Sequence, residues 1–376
     1  MRIHLPKKHL ADVLGHIERI VPARSSTPGL NLVHMALSTE TDVSSQWQVS
    51  FQGSNMDMDI EAVLNVTTED GASPLNGTLH VAVPAHMFGQ IVRVLPGELV
   101  ELEFSDQEVK ISSGSFATSL QQADASGVPE LQFPETYDGL VSAATLTAAL
   151  GHVRYAAAVA EYQAIFRGVK LELRDGHSRA IATDGFRLAY YHTESSSGLS
   201  TDAVIPAKGV DEIGKLLGDG DVRVHLADSQ VSLATGHYRL NVKLMEGTFP
   251  DYERVIPADF VVSMTVDGKQ LSDTVRRVAL MADQNANNRV DLFLNDGTLQ
   301  ITAEGGYGRS QEALTVAQEG SESQIALAYN ANYLVDALAP VSGDMRVSFS
   351  GTTSPSLLSS LQDPSYLAMV VPLRTS

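Results

Sequence analysis

The chain is 376 residues long, has no cysteine, and carries 26 Lys and Arg against 45 Asp and Glu, a formal net charge of -19. Without cysteine there are no disulfides, thiolate metal sites or thiol nucleophiles, and an acidic total excludes DNA binding by a uniformly basic outer surface. At 43% hydrophobic residues the chain can bury real cores, and at roughly 100–200 residues per domain it should hold two or three of them.

The first ten residues hold Lys7 and Lys8 but no apolar core, so no signal peptide is expected. No run of about 18 apolar residues occurs, so no membrane span is expected. A soluble, cytoplasmic protein is the reading.

In chain order, Leu10, Val13, Leu14 and Ile17 are spaced by three and four, which predicts a one-sided helix within 5–24. The run Leu79 to Pro84 predicts a strand that turns at Pro84 into a helix over 83–96. Leu99–Phe104 and Val109–Ile111, parted by Asp106-Gln107, predict a hairpin. Ala123 to Gly139, rich in Ala, Ser, Gly and Pro, reads as a linker. Leu146, Leu150 and Val153 place a helix over 143–160. A second apolar run, Ala203 to Pro206, turns into a helix over 206–217, followed by strands at Val222–Leu226 and Gln230–Ala234. Leu271, Val275 and Val278 place a helix over 268–283, followed by strands at Leu292–Leu294 and Leu299–Thr302 around Asp296-Gly297. A third run, Ile325 to Asn330, turns into a helix over 329–340.

These elements repeat. The corners Pro84, Pro206 and Asn330 lie 122 and 124 residues apart. Leu10, Leu146 and Leu271 lie 136 and 125 apart, the longer gap holding the linker. The pattern predicts three copies of one α+β domain, near 1–125, 130–257 and 258–376, each with two helices packed on antiparallel sheets that keep one face wet.

Charge divides along the same lines. The six helix segments hold eleven basic residues (Lys7, Lys8, Arg19, Arg24, Arg93, Arg154, Lys208, Lys215, Lys269, Arg276 and Arg277) against seven acidic ones, a net of +4 that leaves -23 elsewhere. Such a split suits helices facing phosphates and sheets facing solvent. Lys and Arg are also ordinary residues on any helix surface.

Three motifs carry a specific resemblance: Ala182-Thr-Asp-Gly-Phe-Arg-Leu188, Gly247-Thr-Phe-Pro-Asp-Tyr-Glu-Arg-Val-Ile-Pro257, and the tail Met369-Val-Val-Pro-Leu-Arg374. With the triple repeat, they resemble the bacterial DNA polymerase III beta subunit family of sliding clamps along essentially the whole chain. The resemblance implies three repeated sliding-clamp domains per protomer and a ring-shaped homodimer, closed head to tail, with helices lining the hole and sheets outside. It implies a non-catalytic processivity factor, without cofactor or metal, that encircles double-stranded DNA without reading sequence. Implied partners are the DNA polymerase III alpha subunit, the clamp-loader delta subunit, other polymerases and repair proteins, docking through short linear motifs.

The same resemblance implies site residues. The partner-peptide pocket would comprise Phe166, Thr183, Gly185, Phe186, Arg187, Leu188, Pro250, Arg254, Val255, Asn330, Tyr333, Met369, Val371, Pro372, Leu373 and Arg374. Leu188, Val255, Val371 and Leu373 would give its apolar floor, and Arg187, Arg254 and Arg374 donors for peptide carbonyls or acids. Phe186 stands where the family often has a polar or His residue, and Met369 and Val371 exchange the usual Val and Met. Lys7, Arg24, Arg93, Arg154, Lys208, Arg276 and Arg277 would face DNA. Phe116, Thr118 and Leu120 would meet Leu280 and Met281 of a second copy at the ring joint, beside a loop over 282–289 that is longer than usual.

Read without the resemblance, Thr183-Asp184-Gly185 is a turn between strands, Asp251-Tyr252 a loop with an aromatic plug, and the tail an edge strand ended by Pro372. An enzyme finds little support, because neither Asp184 nor Asp251 has a neighbouring His or second acid at dyad spacing. Gly305-Gly-Tyr-Gly308 lacks the Lys and following helix of a phosphate loop, so it reads as a hairpin tip. A ligand-binding repeat protein would explain the repeat but not the basic helices.

Overall fold

The computed structural model describes residues 1–27, 29–39, 47–68, 78–124, 130–159, 164–174, 176–194 and 198–374. Residues 125–129 of the predicted linker lie outside them.

One module recurs: a strand, a helix, then three strands. It first runs β1 (Arg2–Pro6), α1 (Lys7–Ile20), β2 (Leu32–Thr39), β3 (Trp47–Ser54), β4 (Met58–Thr68), and then β5 (Leu79–Pro84), α2 (Ala85–Val94), β6 (Leu99–Phe104), β7 (Glu108–Ser113), β8 (Phe116–Gln121). The next pair is β9 (Gly139–Ser142), α3 (Ala143–Val153), β10 (Gly168–Arg174), β11 (His177–Thr183), β12 (Arg187–Glu194), and β13 (Thr201–Pro206), α4 (Ala207–Leu216), β14 (Asp221–Ala227), β15 (Gln230–Thr235), β16 (Tyr238–Lys243). The last pair is β17 (Val262–Asp267), α5 (Gly268–Val278), β18 (Arg289–Asn295), β19 (Thr298–Gly305), β20 (Gly308–Thr315) with an added β21 (Ala317–Gly320), and β22 (Gln324–Asn330), α6 (Ala331–Leu338), β23 (Asp344–Phe349), β24 (Ser356–Ser360), β25 (Tyr366–Val370).

Each predicted helix forms, but ends sooner than its window. Val21 closes α1 with a hydrogen bond back to Ile17, and Pro22 cannot continue it. A single 3-10 turn replaces the tail of α3 at Arg154–Ala156 and that of α5 at Ala279–Met281. Three helix starts follow cap chemistry: Ser142, Asp267 and Asn330 accept from the backbone N–H groups of Thr145, Gln270 and Asn332, whereas α1 and α2 start after Pro6 and Pro84 without a side-chain cap.

The chain divides into two compact units, residues 1–140 with 215–243, and residues 141–214 with 244–376. In the first, the strands run β8-β7-β6-β1-β4-β16-β15-β14, each pair antiparallel. The predicted stripe of α1 (Leu10, Val13, Leu14, Ile17) is wholly buried, with Phe88 and Val92 of α2. A Cβ on Gly89 would lie 1.6 Å from the Glu18 carboxylate, the tip of a flexible α1 side chain that would have to move aside.

The second unit holds a nine-stranded sheet, β13-β10-β11-β12-β25-β24-β23-β17-β21, and a four-stranded one, β20-β19-β18-β22. The C-terminal strand β25 sits between β12 and β24, so it is an interior strand and not the edge its Pro suggested. Pro372 lies beyond its last ladder residue, where no N–H is needed. Gly305 pairs with Gly308 across Gly306 and Tyr307, the expected hairpin tip. Asp296 and Gly297 both take positive φ, as a type I′ hairpin turn requires.

Candidate functional site

The three motifs, far apart in sequence, meet in the second unit. Leu188 of β12 pairs in register with Met369 of β25. Both belong to one buried cluster with Ile181, Val204, Phe249 and Tyr252. Phe166 packs edge-on against Phe249, with ring centroids 6.3 Å apart. Tyr252 is the expected aromatic plug. Its hydroxyl donates to Glu172 at 3.1 Å, and burial raises its pKa, so it stays neutral.

The turn between β11 and β12 is tied from within. The Thr183 hydroxyl donates to the Arg187 carbonyl at 2.7 Å and accepts from the Gly185 N–H at 3.1 Å. Asp184 accepts from the N–H groups of Phe186 and Arg187 at 2.9 and 3.0 Å. Gly185 sits at φ 89, a conformation that a side chain disfavours. The Arg187 guanidinium then donates to Asp184 at 3.0 Å and to Asp336 of α6 at 2.6 Å, and lies over the rings of Tyr333 and Tyr155 at 4.5 and 5.5 Å. Beneath it the Tyr155 and Tyr366 hydroxyls meet at 2.8 Å, and Tyr366 donates to the Ala337 carbonyl at 2.6 Å.

The tail completes the site. The Val371 N–H donates to the Phe186 carbonyl at 2.9 Å, and the Leu373 N–H donates to the Ala328 carbonyl of β22 at 2.7 Å. Residues 371–373 thus bridge the β11–β12 turn and β22. Pro372 is buried, Val371 and Leu373 half-buried, and Arg374 exposed. Phe186 remains 53% exposed and Val255 49% exposed. Pro250 is exposed on the loop that buries Phe249.

Expectations about four residues change. Leu188 is 1% exposed, so it lies beneath the surface and cannot itself form the floor. Arg187 is spent on Asp184 and Asp336, and Arg254 pairs with Asp251 at 2.7 Å. Asn330 is occupied as the cap of α6. Sequence reading missed Tyr155, Asp336, Phe249 and Tyr252 as parts of the site. Phe249 and Tyr252 lay inside the second motif, and Asp336 is the only acid in α6.

The basic residues also sort themselves. Lys7 donates to the Leu95 carbonyl at the end of α2. Arg93 pairs with Glu18 at 2.7 Å, Arg154 with Asp211 at 2.7 Å, and Arg277 with Glu312 at 2.6 Å. Arg24, Lys208 and Arg276 are exposed; Arg276 donates to the Ser272 hydroxyl and lies close enough to Asp273 to join Lys269 in lowering its pKa, without a direct ion pair.

At the joint residues, β8 pairs with β7 alone among the described strands. Phe116, Thr118 and Leu120 stand opposite Ser113, Ile111 and Val109. They therefore continue the core face of that sheet, yet Phe116 is 40% exposed and the other two are half-buried. β20 is likewise an edge of its sheet. Beside it, Leu280 is 77% exposed, and the Met281 backbone passes so close to Gly305 that a Cβ there would lie 2.5 Å from its carbonyl oxygen.

Comparison with known proteins gives three consecutive matches, to family models of the DNA polymerase III beta subunit: the N-terminal domain over residues 1–132, the central domain over 140–251 and the C-terminal domain over 253–374. The chain belongs to the DNA polymerase III beta subunit family. A beta sliding clamp of Pseudomonas aeruginosa is 26% identical over 382 residues, covering all of both chains. One from Staphylococcus aureus is 26% identical over 341 residues, 87% of this chain and 89% of its own. The solved Pseudomonas aeruginosa sliding clamp bound to griselimycin superposes over both whole chains with TM-score 0.89 at 25% identity. Asp184 and Asp251, weighed above as acids without a dyad partner, each hold an Arg of their own motif.

Proposed function

We propose that two copies of this beta-subunit chain close head to tail into a ring around duplex DNA and tether the replicative polymerase. The observation that carries this reading is the unfinished edge at β8. Its six residues, Phe-Ala-Thr-Ser-Leu-Gln, include neither charge nor proline, the usual protections of an edge strand. Its core-face residues Phe116, Thr118 and Leu120 await a cover. A second copy offers one: β20 as the next strand, and Leu280 and Met281 as the apolar layer over it. The three domains are those of residues 1–125, 130–257 and 258–376.

A tether needs no tight grip on DNA. Topological linkage holds the ring, and weak phosphate contacts from Lys7, Arg24, Arg93, Arg154, Lys208, Arg276 and Arg277 let it slide without reading sequence. A polymerase bound to the ring re-engages instead of diffusing away, which is an effective-concentration gain.

The site where the three motifs meet is the docking pocket for short linear motifs of the polymerase III alpha subunit, the clamp-loader delta subunit, other polymerases and repair proteins. The protein is non-catalytic and acts in the cytoplasm on nucleoid DNA. Light scattering tests the ring: a mass near twice 40.3 kDa is expected, and a monomer at micromolar concentration would refute it.

A further inference from the structure

We infer that Tyr307, at the tip of the β19–β20 hairpin, latches the ring joint by packing on Met87 of a second copy, with Ser310 of β20 directly opposite Thr118 of β8. The inference rests on the ring reading above and adds a register and a contact to it.

The chain repeats one set of backbone hydrogen bonds. β3–β4, β11–β12 and β19–β20 are each joined by a two-residue turn, Met56-Asp57, Gly185-Phe186 and Gly306-Tyr307. In the first two, the carbonyl of the second turn residue accepts from the strand alongside: Asp57 from the Lys243 N–H at 2.8 Å, Phe186 from the Val371 N–H at 2.9 Å. Two residues further on, the same segments donate again, Met245 to the Val204 carbonyl and Leu373 to the Ala328 carbonyl. Both acceptors lie two residues ahead of a corner, Pro206 or Asn330. Ala123 makes this second bond, to Ala82, two residues ahead of Pro84. By the same count Gln121 makes the first one, and the turn left for it is that of Tyr307. A second copy supplies that carbonyl. The register follows: Gln121 opposite Tyr307, Thr118 opposite Ser310, Phe116 opposite Glu312.

The repeat also assigns side chains. Phe116 takes the place of Tyr366, each five residues before the donor of the first bond. Leu280 takes that of Tyr155, each the middle residue of a 3-10 turn after a helix. Met87 takes that of Tyr333, each third in its helix. In the second unit these residues are covered: the Tyr155 and Tyr366 hydroxyls meet at 2.8 Å, and Arg187 lies over Tyr333. Their counterparts are open, Phe116 at 40% exposed, Met87 at 49%, Leu280 at 77%, and Tyr307 itself at 99%. Four scattered apolar side chains thus fall on one patch once a second copy is added, as an interface core requires. Leu280 then covers Phe116. Met87 receives no guanidinium, because Gly308 stands at the Arg187 position. The neighbouring Tyr307 ring fills that space, and an aromatic ring against a Met thioether is a favourable contact.

The chain has no cysteine, so paired cysteines read the register in the full-length protein. Thr118→Cys with Ser310→Cys, a non-hydrogen-bonded pair about 4.5 Å apart between Cα atoms, should cross-link into a covalent dimer under mild oxidation. Leu120→Cys with Ser310→Cys, two residues off, should not, since bridging fails beyond about 7 Å. Sedimentation of labelled protein at nanomolar concentration reads the latch. Tyr307→Ala should raise the dimer dissociation constant about a hundredfold, about tenfold for each of two joints, with an unchanged circular dichroism spectrum. Tyr307→Phe should stay within about threefold, because the ring makes the contact. Met87→Ala should weaken the dimer too, and the double variant should be little worse than Tyr307→Ala, since both remove one contact. A dimer that cross-links only at the shifted pair or at neither, that ignores Tyr307→Ala, or in which the two effects multiply would overturn the inference and leave the ring standing. A monomer for the unaltered protein removes the ring reading, and this inference with it.

Discussion

Arg187 and Asp336 are 149 residues apart in sequence, yet the guanidinium of one donates to the carboxylate of the other at 2.6 Å. This hydrogen bond locks the β11–β12 turn to α6, so the first motif and the helix carrying Tyr333 move as one piece. Removing Arg187 would leave the Asp184 carboxylate, 13% exposed, with its two backbone N–H donors but no cation, while Asp336, 42% exposed, could turn to water. Arg187→Ala should therefore cost about 2–3 kcal/mol, less than a fully buried orphan charge. Arg187→Lys should recover under half of that, since an ammonium cannot fork between two acids or stack on two rings. Urea unfolding measures both.

The turn conformation is a separate requirement. Gly185 sits at φ 89, where a side chain costs about 1–2 kcal/mol. Gly185→Ala should lower the unfolding free energy by that amount and weaken peptide binding, while Gly214→Ala, in open space on α4, should be neutral or stabilising.

Edge chemistry sets the oligomer. Phe116→Lys places a charge where the core face of β8 awaits a cover. Light scattering should then report a mass near 40.3 kDa, with an unchanged circular dichroism spectrum, because Phe116 already meets water in the single chain. Leu280→Asp should do the same from the other side.

The basic residues should not contribute equally to DNA binding. Arg24, Lys208 and Arg276 form no direct ion pair among the described residues, whereas Arg93, Arg154 and Arg277 do. Alanine at each of the first three should reduce the slope of log affinity against log salt by about 0.9 for each phosphate no longer neutralised. The second three should change it less, because each variant also frees an acid. Fluorescence anisotropy of a short linear duplex, which a ring does not trap, reads the slope at stepped salt.

Burial lowers the pKa of His34 and of His237 in the first unit, the latter against a raising influence from Asp12. The folded state thus holds both rings neutral while the unfolded chain takes protons from about pH 6.5 downward. Stability should be full above that value and fall as pH drops below it, before the carboxylates titrate. Thermal melts at pH 7.5 and 5.5 should differ, and His34→Gln should narrow the difference.

Helices were legible because each carries an apolar stripe at spacings of three and four, as Leu10, Val13, Leu14 and Ile17 show. Strands that alternate, such as β6 and β7, were legible for the same reason. Strand β11 was not, because its run Ala180 to Thr183 is buried on both faces and loses the two-residue period. Strand β25 looked like an edge because Pro372 follows it, yet its neighbours β12 and β24 are chosen by tertiary pairing. The motifs located the site, but its charge balance was hidden. Nothing local announces that Asp336 belongs to Arg187, or that Tyr155 lies beneath it.

Encirclement of DNA is read out by loading the protein with a clamp loader and ATP onto a nicked circular plasmid, then cutting half the sample once. A ring stays on the circle through gel filtration and is lost from the linear form, because it runs off the ends. Equal retention on both, or on neither under conditions that load a known clamp, would rule encirclement out.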